Sequence, residues 1–173
     1  MYPQGVYADV LAGALKLRTA KKSLTLTANN ETLSQDVFTI TGAIILYGLW
    51  GEVTTAIGSN HTAAHYRIDD QTAQTAITAA AGVTLSSLAA GTMIIKTGLA
   101  ATALTLLNNA VGAFNEGSAQ GGKPMTPIIL VKKTAATTDI EYRYSTTNAP
   151  TTGVIEHTAL WMPLSEDGNL VAA

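Results

Sequence analysis

The sequence predicts an all-β protein: a β-sandwich or jelly-roll-like single domain preceded by an extended N-terminal arm. Three observations predict it. Hydrophobic residues make up 47% of the 173-residue chain and charged residues only 13%, about half the usual charged share. Thr, Ala, Ser and Asn stand where charges are missing, and the branched Cβ of Thr packs well on a pleated surface. Short runs of period two, separated by turn residues, recur along the chain. The stretch 126–167 resolves into three such runs bounded by "KKTAATT" and "TTNAPTTG", at the roughly 8–12-residue spacing of a sandwich or barrel.

The elements follow in order. Residues 1–22 gather Lys16, Arg18, Lys21 and Lys22, four of the ten Lys and Arg residues, and carry little apolar surface. They read as an arm that lies on a neighbour, the plainer alternative being a solvated chain end. The domain then runs over 23–173, with strand-like runs at "LTLTA" (24–28), "DVFTIT" (36–41) and the long "AIILYGLWGEVTTAIG" (43–58). In the long run Ile45, Tyr47, Leu49, Val53, Thr55 and Ile57 share one parity, and Ile44, Leu46, Trp50, Glu52 and Thr54 the other. Both parities are apolar until Glu52, which suits a strand buried against a second sheet on one side and a partner on the other. Gly48 and Gly51 inside it predict a bulge or bend.

"AHYRID" (64–69) and "GTMIIKTG" (91–98) continue the β pattern, while 99–114 fits a helix or a strand equally. The Gly-rich 115–126 is a loop. In "DIEYRYS" the aromatics Tyr142 and Tyr144 share a face with Ile140, and Glu141 and Arg143 share the other. In "GVIEHTALWMPLS" Ile155, His157, Ala159 and Trp161 share one side, and Pro163 marks where pairing stops. This cluster of Tyr, Arg, Glu, His and Trp therefore reads as architecture.

Chemical motifs fail on their own terms. "GSAQGGKP" (117–124) begins like a phosphate loop, but Pro124 stands where Ser or Thr would hold magnesium, and a strand follows where a helix should open. In "HTAAH" the two imidazoles, if extended, lie about 13 Å apart on one side at ~3.3 Å per residue, too far to share a metal; they read as loop and edge residues. Glu52, Asp69, Asp70, Glu141 and Glu156 are not paired by spacing, and Asp69 with Asp70 reads as a strand end. No G-x-S-x-G is present and no cysteine, so thiol nucleophiles, thiolate metal sites and disulfides are excluded. The sequons at Asn30 and Asn60 mark surface turns outside a secreted eukaryotic setting. No enzyme activity, cofactor, metal or small-molecule substrate is expected.

A formal net charge of −2 provides no general attraction to nucleic acid. The longest apolar run is far short of the ~20 residues of a membrane helix, and the N-terminal charges follow the apolar piece, the reverse of a secretory signal. Neither a nucleic-acid nor a membrane partner is expected, and the chain reads as intracellularly made and unprocessed.

At "DVFTITGAIILYGLWGEVTTAIGSN" and "TALWMPLSEDGNLVAA" the chain resembles a group of small virion proteins of tailed bacteriophages, in an early F-T-[IV]-T-G strand running into "LYG…VTTAI" and a last strand with an aromatic followed by "PLS". The resemblance covers roughly residues 36–60 and 158–173 and does not extend to 72–123. It implies a capsid decoration, or cement, protein: a β-rich module on the outer surface of the head, bound to the major capsid protein and often trimeric. The contact candidates under this reading are Lys16, Arg18, Lys21, Lys22, Trp50 and Trp161, with the loop 115–123 and the tail after Pro163. The alternative is a carbohydrate- or receptor-binding module of a head or tail fibre, its platform formed by Trp50, Trp161, Tyr142 or Tyr144. A hydrolase whose carboxylates meet in a cleft is the third.

Overall fold

The computed structural model describes residues 16–26, 32–58, 61–79, 84–98, 102–107, 125–133, 136–146 and 152–173. Eleven strands appear among them: β1 (Arg18–Thr25), β2 (Thr32–Thr41), β3 (Ala43–Thr55), β4 (His61–Asp69), β5 (Gln74–Ala76), β6 (Met93–Ile95), β7 (Thr105–Leu107), β8 (Ile128–Val131), β9 (Asp139–Thr146), β10 (Val154–Pro163) and β11 (Asn169–Ala172). No helix occurs among the described residues. The ambiguous 99–114 contributes β7; residues 99–101 and 108–114 of it, and the Gly-rich loop up to Pro124, lie outside the described residues, as do the sequon asparagines Asn30 and Asn60.

The strands form two antiparallel sheets, one in the order β1-β10-β3-β6-β7 with β8 also on β3, the other in the order β11-β2-β9-β4-β5. The order is a set of nested partners: β1 beside β10, β2 beside β9, β3 beside β6, β4 beside β5. Folding that ladder across two layers is the wrapping of a jelly roll. β3 is the hub of its sheet. On one side it pairs with β10 from Ile44 to Thr55; on the other, β8 occupies Ala43 to Leu46 and β6 occupies Trp50 to Glu52.

The core lies between the sheets. Phe38, Ile40, Ile44, Leu46, Leu49, Val53, Tyr66, Ile140, Tyr142, Tyr144, Ile155 and Trp161 are buried there. For β9 and β10 the residues that alternation groups on one side, Ile140, Tyr142 and Tyr144 and Ile155, His157, Ala159 and Trp161, are the inward ones. β3 differs. Ile44 and Leu46 face inward, and so do Leu49 and Val53, because the pairing with β10 skips Tyr47 between Leu46 and Gly48. The extra residue switches the inward parity, so the two faces read by simple alternation exchange at the predicted bulge. β2 makes the same switch at Val37, where the pairing with β9 steps from Asp36 to Phe38.

Arg18 to Lys22, expected in the arm, form the first part of β1, in unbroken register with Trp161 to His157 of β10; residues 1–15 lie outside the described residues. The tail after Pro163, a contact candidate, turns through Ser165 and Asp167 and returns as β11 on β2, with Leu170 in the core. β10 does end at Pro163, as its missing N–H requires. The turn from β2 into β3 is made at Gly42, whose φ of +56° suits glycine, and a Cβ there would run into the side chains of Asp167 and Ser165.

Candidate interaction surface

The outer faces of the two sheets differ in kind. On the β2-β9-β4 sheet the outward residues are polar, and several of them pair with one another. Arg67 of β4 pairs with Glu141 of β9, its register neighbour, and its guanidinium also donates to Gln74 Oε1 and, at 3.0 Å, to Ser34 Oγ. Thr39 Oγ1 donates to Asp139 Oδ1 at 2.7 Å. Burial, and then the charges of Asp139, Glu141 and Asp69, hold the Asp36 carboxyl above its ordinary range. At the end of β4, Asp69 and Asp70 accept backbone N–H bonds from Gln71 and from Thr72 and Ala73, the strand-end role their adjacency predicts. Those two turn bonds, from Ala73 first, hold the Asp70 carboxyl low.

On the β1-β10-β3 sheet the outward residues are apolar at one end. Ile45 of β3 lies between Ile129 of β8 and Met162 of β10, and Ala43 lies beside Val131. Ile129 is 65% exposed and Val131 63%. Further along, Tyr47 bulges outward and Gly48 sits opposite Leu160. A Cβ on Gly48 would stand 3.2 Å from the Trp50 ring, so the glycine lets the indole lie back along its own strand. Trp50, Tyr47, Ile95 and Lys96 line an open, mostly apolar pocket of about 250 Å³. Lys96 Nζ donates to the carbonyl of Thr97 at 2.6 Å, and burial lowers its pKa. Ile129 and Val131, beside Ile45, thus form an apolar patch on the outer face of this sheet.

The apolar end gives way to charge at Glu52 and Glu156, which are register neighbours on β3 and β10. Lys21 of β1 binds Glu156 at 2.5 Å, and that hydrogen bond is the main reason its pKa is raised. These two of the five named carboxylates are therefore cross-strand neighbours, on an open sheet face where Lys21 of the adjoining strand binds Glu156. Among the described residues no three His, Asp or Glu side chains converge in a way that would hold a metal ion.

The sequence-derived contact residues divide. Lys16 is exposed just ahead of β1. Arg18 is exposed with its guanidinium 5.4 Å from the centre of the Trp161 ring, Lys21 binds Glu156, and Lys22 donates to the carbonyl of Ala173. The last three cations are thus seated on the sandwich by their own strand. Trp50 is half-buried and outward, available to a partner. Trp161 is not: at 2% exposed it lies between the sheets, because it shares the inward side of β10 with Ile155, His157 and Ala159. Tyr142 and Tyr144 are fully buried as well, so of the four aromatics expected in a sugar platform only Trp50 reaches the surface. The loop 115–123 lies outside the described residues.

One cluster escaped the sequence. His61 and His157 are fully buried among Tyr66, Tyr142 and Tyr144. His157 Nδ1 and the Tyr66 hydroxyl lie 2.6 Å apart across the two sheets, and His61 Nε2 lies 3.3 Å from the Tyr142 hydroxyl. The reading of "HTAAH" as two loop and edge histidines on one side is corrected. Ala63 adopts φ +55° and the pairing with β9 skips from Thr62 to His65. The bulge sends His61 into the core and leaves His65 beside Arg143 on the other face. The position of His157 was legible in its parity with Ile155 and Trp161; that of His61 was hidden by the bulge.

No family model, curated protein or solved structure matches the chain.

Proposed function

We propose that this chain is a capsid decoration protein of a tailed-bacteriophage head, seated on the outer surface of the major capsid protein lattice as an oligomer, with trimers the form its resemblance implies. The observation that carries the reading is the contrast between the two outer faces. One is polar, with Arg67 held by Glu141, Gln74 and Ser34 and Asp139 by Thr39. The other presents Ile129 and Val131 to solvent beside Ile45 and Met162. Cement proteins work through area buried against neighbours, and the cores of such interfaces exclude charge. Many weak contacts repeated on a lattice add up to a strong shell, and the reading assigns no catalytic step. Jelly rolls serve viral capsids and lectins alike, so the fold supports this reading without selecting it.

Glycan binding is the second reading, favoured by the half-buried Trp50 beside its pocket. The test is quantitative mass spectrometry of separated heads and tails, followed by binding of purified chain to undecorated heads. The reading expects many copies on heads and none on tails, and loss of head binding in an Ile129→Asp, Val131→Asp variant. Copies confined to tails, with a signal on a glycan array that Trp50→Ala removes, support the second reading and overturn the first.

A further inference from the structure

We propose that the Tyr66–His157 contact is an acid-sensitive latch that holds the two sheets together at neutral pH and releases them as acid charges the imidazole, with the His61–Tyr142 contact, between two strands of one sheet, weakened by the same acid beside it. The inference is independent of the capsid reading. It rests on where the two rings lie. His157 belongs to β10 in one sheet and Tyr66 to β4 in the other, so their 2.6 Å contact crosses the sandwich. The His157 ring also lies 4.7 Å, centre to centre, from Tyr142, and His61 stacks on Tyr144 at 4.4 Å. The five rings form one continuous group in the middle of the core.

Each histidine has one ring nitrogen in a contact and one without a hydrogen-bond partner: His157 Nε2 and His61 Nδ1. A neutral imidazole has one donor and one acceptor nitrogen, whereas an imidazolium has two donors. In the imidazolium, whichever tautomer the neutral ring adopts, the partnerless nitrogen must carry an N–H with no acceptor and the tyrosine hydroxyl must act as acceptor, so the arrangement that suits the neutral ring fails for the charged one. Among the described residues the surroundings offer the charge no carboxylate. His157 faces Gly51 from β3 and, from β1, the cation Lys22, whose amine is already bound to the Ala173 carbonyl. From β4 and β9 come the phenols of Tyr66 and Tyr142. His61 faces Tyr142 and Tyr144 of β9, and from β2 Gln35 accepts from the Tyr144 hydroxyl. The carboxylates next to His157 in register, Glu52 and Glu156, lie on the opposite face of their sheet.

Burial pushes His157 down to about 3 and His61 to about 4, from an ordinary 6.5. The unfolded chain therefore binds more protons than the folded one between these values. Stability is fully present above pH 6.5 and is lost as pH falls below it. At pH 5, relative to pH 7, each histidine lowers the folding equilibrium constant about 20-fold, and the two together about 500-fold. Most carboxylates stay ionised in this window, so it isolates the histidines.

The experiment is urea unfolding of the full chain at pH 7 and pH 5, followed by near-ultraviolet circular dichroism, for the wild type and for His157→Gln, His61→Gln and the double variant. The latch expects each single variant to lose about 20-fold of the pH dependence, and the double variant to be nearly flat. A double variant with the wild-type dependence overturns it. Should the variants not fold, NMR titration of the three imidazoles in the wild type decides: two that stay neutral in the folded protein at pH 5 support the latch, and His61 or His157 titrating near its ordinary value refutes it.

Discussion

Gly51 of β3 lies directly opposite His157 of β10, and a Cβ added to it would stand 2.7 Å from Ile155 Cγ2, 3.4 Å from His157 Nδ1 and 3.5 Å from the Tyr66 hydroxyl. The glycine is therefore a spacer: its missing side chain is the room in which the inter-sheet contact forms. Gly51→Ala is expected to destabilise the fold by about 1–3 kcal/mol, the usual range for an extra methyl in a packed core. Chemical denaturation measures this directly, and an unchanged midpoint would show that Ile155 gives way freely.

Arg67 and Glu141 should prove far more important to stability than Lys21 and Glu156, although both are cross-strand ion pairs. The first pair is nearly closed to solvent, whereas Lys21 is 60% exposed. Glu141→Ala strands the guanidinium's charge and is expected to cost about 3 kcal/mol, while Lys21→Ala should leave the unfolding midpoint where it was. Double-mutant cycles on the two pairs would separate them, and equal coupling energies would contradict the assignment.

The apolar outer face predicts a dissociation of binding from folding. Ile129 and Val131 are mostly in water already, so Ile129→Asp and Val131→Asp should shift stability by no more than about 0.5 kcal/mol. The same changes should make the protein more soluble at high concentration, since they interrupt an exposed apolar patch. Static light scattering across a concentration series reads this out.

Alkaline pH supplies a check on the core. Burial raises the phenol pKa of Tyr66 well above its ordinary value of 10.0, and that of Tyr142 likewise. The unfolded chain loses these protons near pH 10 while the folded one keeps them, so their contribution to stability is present below that pH and declines above it. In a spectrophotometric titration, at least two of the six tyrosines should stay un-ionised until the protein unfolds cooperatively. Smooth ionisation of all six ahead of unfolding would mean that the core is open to solvent.

The sequence by itself determined what depends on local pattern: an all-β chain, which residues of β9 and β10 share a side, the end of β10 at Pro163, the bulge in β3, and an apolar excess on β3 beyond what one sheet interface can bury. These follow from side-chain alternation, from the missing N–H of proline and from glycine's freedom, all of which act within a few residues. Tertiary structure alone decided the rest. Alternation counts residues, so it fails wherever a bulge inserts one: at Tyr47 the faces of β3 exchange, and at Ala63 the two histidines of "HTAAH" part to opposite faces. The cations expected in an arm became a strand because β10 offered them an edge. Trp161 and Trp50 look alike in sequence, yet one is core and one is surface. That outcome depends on which side of each strand meets the second sheet, and only long-range pairing sets it.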